Sequence, residues 1–408
     1  MRSKPIPQVV RCDNVPSVTD PPERGEATDY GVPRSVVVAV VALDAVPDWD
    51  RVTGMLAPGN HESPSFRHRV VDVPFGLEPP RWSGGPDSDP PWQLDRVSLT
   101  TPATFADVLD SARTTPPVPG LRHPLWRMTL FDGLTGGGSA LVIRLHHLAP
   151  PGDDPGDVVR SWARSAARGL TRVTTSLVNS LLGGPDGETD PVRAPERSAS
   201  RLHAVDVPFA DLRAAADRAG CGLESAFVAA MLLASAAYRR RHGRDTDGLR
   251  AAMAGSGHAL STASAEGTED PDELMRRIET RRAGPAEVSG SRPVDLRAQR
   301  GEPVAALAKD ETLFGPQDVF TATLPGSNAP MYIGGAKVER YYGFGPTHGA
   351  AFNATLMSYR SGCWIGVTVD ADAVPDREVF DDCLRSGISA VLGATEDPDA
   401  DEITVQSG

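Results

Sequence analysis

The sequence predicts a mixed α/β (α+β) protein built as two lobes, and three observations carry that expectation. Short β-branched runs of strand length alternate with segments of helical spacing from Ser35 to Leu392, so strands and helices interleave along the chain. At 408 residues the chain exceeds what one hydrophobic core ordinarily holds and suggests lobes of roughly 150–200 residues. Between them, residues 183–200 are polar, rich in Pro and Gly and without period, the composition of a linker. The expected organisation is an N-terminal arm at 1–33, a first lobe at 34–182, the linker at 183–200, a second lobe at 201–393 and an acidic tail at 394–408.

The arm is rich in Pro, Asp and Glu and has no period, which reads as a poorly ordered segment. A β-branched strand follows at Ser35–Leu43, then a short polar helix from about Pro47, then strand-like alternation at Ser65–Pro74. Phe105, Val108, Leu109 and Ala112 have helical spacing over Phe105–Arg113. Pro124–Phe131 and Ser139–His147 read as two strands joined through Gly136-Gly-Gly138, a β-hairpin. Val158, Trp162, Ala166, Leu170, Val173, Leu177 and Leu181 recur at three- and four-residue steps and predict an amphipathic helix at Asp157–Leu182.

The second lobe opens on a strand at Leu202–Val207 and helices at Phe209–Ala219 and Leu223–His242, with a charged helix at Asp270–Arg282. Strands at Val319–Leu324, Lys337–Tyr342, Asn353–Ser358 and Cys363–Asp370 precede a helix at Arg377–Leu392.

The formal charge of −13 disfavours an extended nucleic-acid footprint and suits small or carrier-bound substrates. The apolar run Val36–Leu43 is far too short for a bilayer span, and no charged-then-apolar signal opens the chain. A soluble cytoplasmic protein is expected. Cys12, Cys221, Cys363 and Cys383 lack C-x-x-C spacing, which argues against a zinc site and a disulfide framework. No metal is expected.

The stretch with chemical content is Leu141-Val-Ile-Arg-Leu-His-His-Leu-Ala-Pro-Pro-Gly-Asp-Asp154, an apolar strand running into two histidines. Acyl transfer from a thioester to a hydroxyl needs a base for the hydroxyl proton and an acid for the departing thiol, and one imidazole serves as both. Adjacent strand residues face opposite sides, so one of His146 and His147 would be structural. On these residues alone, a buried pair satisfied by backbone carbonyls has equal weight.

The order of several elements separates the two. His123-Pro-Leu-Trp126, Leu130-Phe-Asp-Gly133 and Ala140-Leu-Val-Ile-Arg-Leu-His-His147 resemble the actinobacterial wax ester synthase/diacylglycerol acyltransferase family. Pro64-Ser-Phe-Arg-His-Arg69, Val205-Asp-Val-Pro208, Thr321-Ala-Thr-Leu-Pro-Gly326, Pro330-Met-Tyr-Ile-Gly-Gly-Ala336 and Asn353-Ala-Thr-Leu-Met-Ser-Tyr359 follow that family's order over residues 60 to 393. The resemblance implies two chloramphenicol-acetyltransferase-like lobes with a substrate channel between them. It also implies transfer of an acyl group from acyl-CoA, or another acyl thioester, to a hydroxyl-bearing small molecule. Acyl-CoA would be a co-substrate, with no further cofactor and at most peripheral lipid contact. His147 takes the role of general base and His146 a supporting one, with Asn353, Ser225 and Gly152 at the substrate.

Three departures matter. The family motif H-H-x-x-x-D-G here has Pro151 in place of the aspartate, ahead of Gly152. Its Asn-Asp pair at the long helix is Glu224-Ser225, where serine is expected to act as a helix cap. Its Asn-Val-Pro-Gly-Pro segment is Thr323-Leu-Pro-Gly-Ser327. A catalytically degenerate acyl-binding or scaffold member, or an enzyme of specialised metabolite biosynthesis, is the alternative these departures raise.

Overall fold

The fold was obtained as a computed structural model. It describes residues 10–11, 36–55, 68–71, 81–84, 94–114, 126–146, 200–246, 248–254, 260–265, 270–283, 318–324, 328–347, 350–393 and 404–407. His147, Gly152, the helix expected at Asp157–Leu182 and most of the 183–200 linker lie outside these residues. So does all of the N-terminal arm except Val10–Arg11.

The strands are β1 (Val10–Arg11), β2 (Val36–Leu43), β3 (His68–Val71), β4 (Arg81–Gly84), β5 (Leu94–Ala103), β6 (Trp126–Leu134), β7 (Ser139–His146), β8 (Ser200–Pro208), β9 (Leu249–Ala254), β10 (Leu260–Ala265), β11 (Val319–Leu324), β12 (Tyr332–Ile333), β13 (Ala336–Phe344), β14 (Phe352–Tyr359), β15 (Gly362–Asp370) and β16 (Thr404–Ser407). The helices are α1 (Trp49–Met55), α2 (Phe105–Thr114), α3 (Phe209–Ala219), α4 (Leu223–Arg241), α5 (Pro271–Ala283) and α6 (Arg377–Leu392). Two seven-stranded mixed sheets organise them, in the orders β1-β5-β6-β7-β2-β13-β12 and β10-β9-β11-β14-β15-β8-β16, while β3 and β4 pair by themselves.

The first sheet is set by β2, whose valines alternate between two cores. Val40 and Ala42 pack under α2 with Val108 and Leu109, whereas Val37, Ala39 and Val41 join Met128, Leu130, Leu141 and Ile143 on the opposite face. The second core also takes in Phe320, Ala322 and Met357 of the second sheet, so this face is the one turned toward the other lobe. The expected hairpin is present: β6 and β7 pair antiparallel from Trp126↔Leu145 to Phe131↔Ala140.

In the second lobe the opposite face of the sheet is covered by helices. On β14, Phe352, Ala354 and Leu356 enter the helical core. Residues Ser225 to Ala236 of α4 are buried without a break, which explains why this helix has no clear polar face: it is the central helix of its layer. α6 crosses it closely at Gly387, where a Cβ would lie 2.5 Å from the Ala230 carbonyl oxygen. Among the described residues no single helix is long and apolar enough to cross a membrane. α3 and α4 pass that test only as a pair bent by 95°.

Three boundaries differ from the sequence expectation. First, β12 and β13 fall within the expected second lobe at 201–393, yet β13 pairs antiparallel with β2 from Val338↔Leu43 to Phe344↔Val38 and completes the first sheet. The lobes therefore exchange a strand, which no local pattern can announce, because pairing across some 300 residues is decided by which edge is open. Second, the tail at 394–408 contains β16, which pairs with β8 from Thr404↔Asp206 to Ser407↔His203. The Ser407 hydroxyl donates to Asp381 (2.9 Å), and Asp381 also bonds His203 Nδ1 (2.6 Å). Third, Ser200 belongs to β8 and not to the linker.

The lobes meet where β13 crosses β15. A Cβ on Gly366 would lie 2.2 Å from the Gly343 carbonyl oxygen, so the two backbones touch there with no side chain between them. Beside this crossing, Asp206 of β8 accepts hydrogen bonds from Tyr342 (2.5 Å) and Arg340 (3.1 Å) of β13. The Arg340 guanidinium also lies 5.3 Å from the Phe105 ring centre of α2. Burial, and after it the Asp206 charge, pushes the Tyr342 hydroxyl well above the usual tyrosine range, so the phenol stays a donor to that carboxylate.

Candidate active site

The motifs that stand apart in sequence meet at one end of the first sheet. β7 ends at His146, opposite Val36 of β2, and Trp126, the first residue of β6, faces Leu145. Trp126 and the backbone of His146 are therefore neighbours, because antiparallel strands bring the start of one beside the end of the other. One strand further, Phe344 pairs with Val38, which pairs with Arg144 on its other side. The three form a cross-strand row spanning about 10 Å at ordinary strand spacing. The chain leaving β13 thus departs at the same end of the sheet where β7 runs out.

That departing segment is tied to the second lobe. The Asn353 side-chain amide donates to the Pro346 carbonyl at 2.6 Å. Asn353 is fully buried, and its Oδ1 has no hydrogen-bond partner among the described residues. Asn353 lies on the face of the second sheet opposite its helical layer, since its neighbours Phe352 and Ala354 enter the helical core. His147 and Gly152 lie outside the described residues, and His146 is described through its backbone pairing alone.

Ser225 is placed elsewhere. It is fully buried in the first turn of α4, and its hydroxyl donates to Glu279 of α5 at 2.7 Å. Its expected role as a cap is also corrected, since the residue preceding the helix is Gly222. The Gly222 N–H donates to the same Glu279 carboxylate oxygen at 2.9 Å. A negative group at a helix N-terminus satisfies unpaired N–H groups and opposes the dipole. Here α5 supplies that group across the helix interface. Glu224 pairs with Arg282, so the side chains at both departures from the Asn-Asp pair are bound by α5, and Ser225 makes a helix–helix contact.

Arg144, two residues before the histidine pair, is a buried cation. It is 4 % exposed, its Nη2 has no partner among the described residues, and it stands opposite Arg127 in the ladder. Arg127 is itself paired with Asp95 at 2.5 Å. Burial first, and then the charge of Arg127, lowers the Arg144 guanidinium to about 10.

Sequence reasoning missed two further residues. Thr355 and Thr368 share the Asn353 face, are 0 % and 7 % exposed, and have hydroxyls without partners among the described residues. A threonine in a strand carries no signal of its own, because strands favour it for its β-branch. Only the register, which sets Asn353 beside Thr368 and Thr355 beside Gly366, brings them together.

Comparison with known proteins gives this end of the sheet its context. The pattern of the wax ester synthase/diacylglycerol acyltransferase catalytic domain matches residues 26–152, which include the histidine pair and Gly152, and that of the family's C-terminal domain matches residues 264–391. A Mycobacterium tuberculosis protein that carries the provisional name diacylglycerol O-acyltransferase is 26 % identical, over 92 % of this chain and 91 % of the relative. The wax ester synthase/diacylglycerol acyltransferase of Marinobacter aquaeolei VT8 shares the fold with a TM-score of 0.60 at 19 % identity, covering 88 % of this chain and 96 % of that one. The first condensation domain of the calcium-dependent antibiotic synthetase does so with a TM-score of 0.56 at 14 % identity, covering 92 % and 95 %. With both family patterns matched in order over more than half of its length, the chain belongs to the wax ester synthase/diacylglycerol acyltransferase family.

Proposed function

We propose that the protein is an O-acyltransferase that moves an acyl group from acyl-CoA, or another acyl thioester, to a hydroxyl acceptor, with His147 as general base. The imidazole of His147 takes the hydroxyl proton as the oxygen attacks the thioester carbonyl. The tetrahedral intermediate then expels the thiolate, which recovers the proton from the imidazolium, so the base returns to its starting state. His146 supports the turn, Gly152 gives the following loop room to approach the substrate, and Asn353 borders the channel between the lobes.

The observation that carries this reading is the convergence at the end of β7. The family's catalytic-domain match runs through residues 146 to 152, and the strand leading there is paired on both sides. Parity supports the choice of histidine. Leu141 and Ile143 belong to the inter-lobe core, and a strand that kept period two for one residue beyond His146 would give position 147 their odd-numbered parity.

The test is release of free thiol from decanoyl-CoA in the presence of 1-dodecanol. The wild-type protein is expected to release thiol, and His147→Ala to lower the rate by 10²-fold or more, in line with loss of a general base. An unchanged rate in the variant would remove His147 from the mechanism. The prolines at 150 and 151 favour a second reading, a family member that binds acyl ligands without turnover. A raised Tm with decanoyl-CoA, without thiol release from any alcohol, would establish that reading instead.

A further inference from the structure

The face of the second sheet turned toward the first lobe carries polar side chains, of which the mechanism above uses only Asn353, as a border of the channel. Along β14, Asn353, Thr355 and Met357 alternate with the core residues Phe352, Ala354 and Leu356. Asn353 lies between Phe320 of β11 and Thr368 of β15, and Thr355 between Ala322 and Gly366. Phe320, Ala322 and Met357 belong to the apolar core shared with the first sheet. Asn353, Thr355 and Thr368 therefore form a polar ledge on an apolar inter-lobe face, each more than nine-tenths buried.

All three side chains have an oxygen without a partner among the described residues. Buried polar groups are ordinarily hydrogen-bonded, and a cluster that is not calls for an explanation. Apolar surroundings with a few convergent polar groups are the usual construction of a small-molecule site. The available chemistry is specific. One Asn353 amide N–H donates to Pro346 and the unpartnered Oδ1 is an acceptor, while each threonine hydroxyl can donate and accept. A second alcohol oxygen on the ligand, which also donates and accepts, matches this set. Pro346 follows the strand whose Phe344 is level with Arg144 of β7, so the ledge is tethered at the end of the sheet where the histidine pair begins.

We propose that Asn353, Thr355 and Thr368 select a hydroxyl acceptor bearing a second hydroxyl next to the reacting one, a vicinal diol or polyol, over a simple alcohol. The inference rests on the acyltransferase reading above. In it, one acceptor oxygen meets the base and its neighbour meets the ledge. A site built to hydrogen-bond a substrate oxygen rejects the analogue lacking it, because its own buried groups are then left unmet.

The experiment compares 1,2-dodecanediol with 1-dodecanol as acceptors for decanoyl-CoA, reading kcat/KM by thiol release. The wild-type protein is expected to prefer the diol by about 10-fold or more, the size of one well-formed hydrogen bond lost between charged or buried partners. Thr355→Val, Thr368→Val and the double variant keep side-chain volume and are expected to bring the ratio toward one. Their Tm should be equal or higher, since each replaces an unmet hydroxyl with a methyl group. A purely structural ledge would leave the ratio untouched. Thiol release without a preference for the diol, or a preference that survives in the double variant, overturns the ledge and leaves the acyltransferase reading standing. No thiol release with either acceptor overturns both.

Discussion

Gly366 is the residue at which the arrangement of the lobes is most exposed to a single substitution. A methyl group there would lie 2.2 Å from the Gly343 carbonyl oxygen and 3.2 Å from the Phe344 ring. Backbone cannot rotate away as a flexible side chain can, so β13 and β15 would have to separate. Gly366→Ala is expected to destabilise the protein by about 3 kcal/mol, the upper range for overpacking a tight core, read from the midpoint of urea unfolding. A variant as stable as the wild type would show that the crossing tolerates separation. The same scale shows where sequence reading stops. Asn353 was legible because the family resemblance gives it a role, whereas Thr355, in the same run, and Thr368 have none and became visible only as neighbours in register. The contact that Ser225 makes in place of capping was not legible, because its partner, Glu279, lies 54 residues away on another helix.

At the level of elements, the start of α4 depends on a carboxylate from α5. Removing it in Glu279→Ala leaves the Gly222 N–H and the Ser225 hydroxyl without that acceptor, with an expected loss of about 1 kcal/mol, as for other N-terminal caps. Adding Ser225→Asp to that variant returns a carboxylate to the first turn and should recover much of the loss. In the wild-type background the same change sets two carboxylates together and should destabilise. Urea unfolding of the four proteins forms a double-mutant cycle, and strictly additive effects would contradict the shared role. The elements themselves were unevenly legible. α3, α6 and β11 have the limits expected from sequence, because apolar spacing and flanking Pro or Gly agree there. β5, β9, β10 and β16 were missed for identifiable reasons. Leu94–Ala103 interleaves charge with a proline, Leu249–Ala254 is alanine-rich and helix-like, Leu260–Ala265 is built of small residues, and Thr404–Ser407 is four residues long.

For the molecule as a whole, strand exchange and the Asp206, Tyr342 and Arg340 hydrogen bonds make the two lobes one cooperative unit. Unfolding in urea is expected to give a single transition that coincides by tryptophan fluorescence and far-UV circular dichroism. The six tryptophans include Trp126 in the first sheet and Trp364 in the second, so both lobes are reported. Two separate transitions would mean that β13 detaches from β2 without unfolding the rest. Two lobes and their α/β character were legible in length and periodicity. The ownership of β13 was not, since it is settled by an edge of β2 that local sequence does not describe.

That ownership has a consequence for synthesis. β2 finds its first neighbour once residues up to 146 have left the ribosome, but its second is supplied by residues 336–344. The roughly 190 intervening residues take on the order of 10–40 s to translate at ordinary rates. Throughout that interval a strand containing five valines among its eight residues presents an open hydrogen-bonding edge of the kind that seeds intermolecular pairing. The second lobe, by delivering β13, closes the edge that its predecessor leaves exposed.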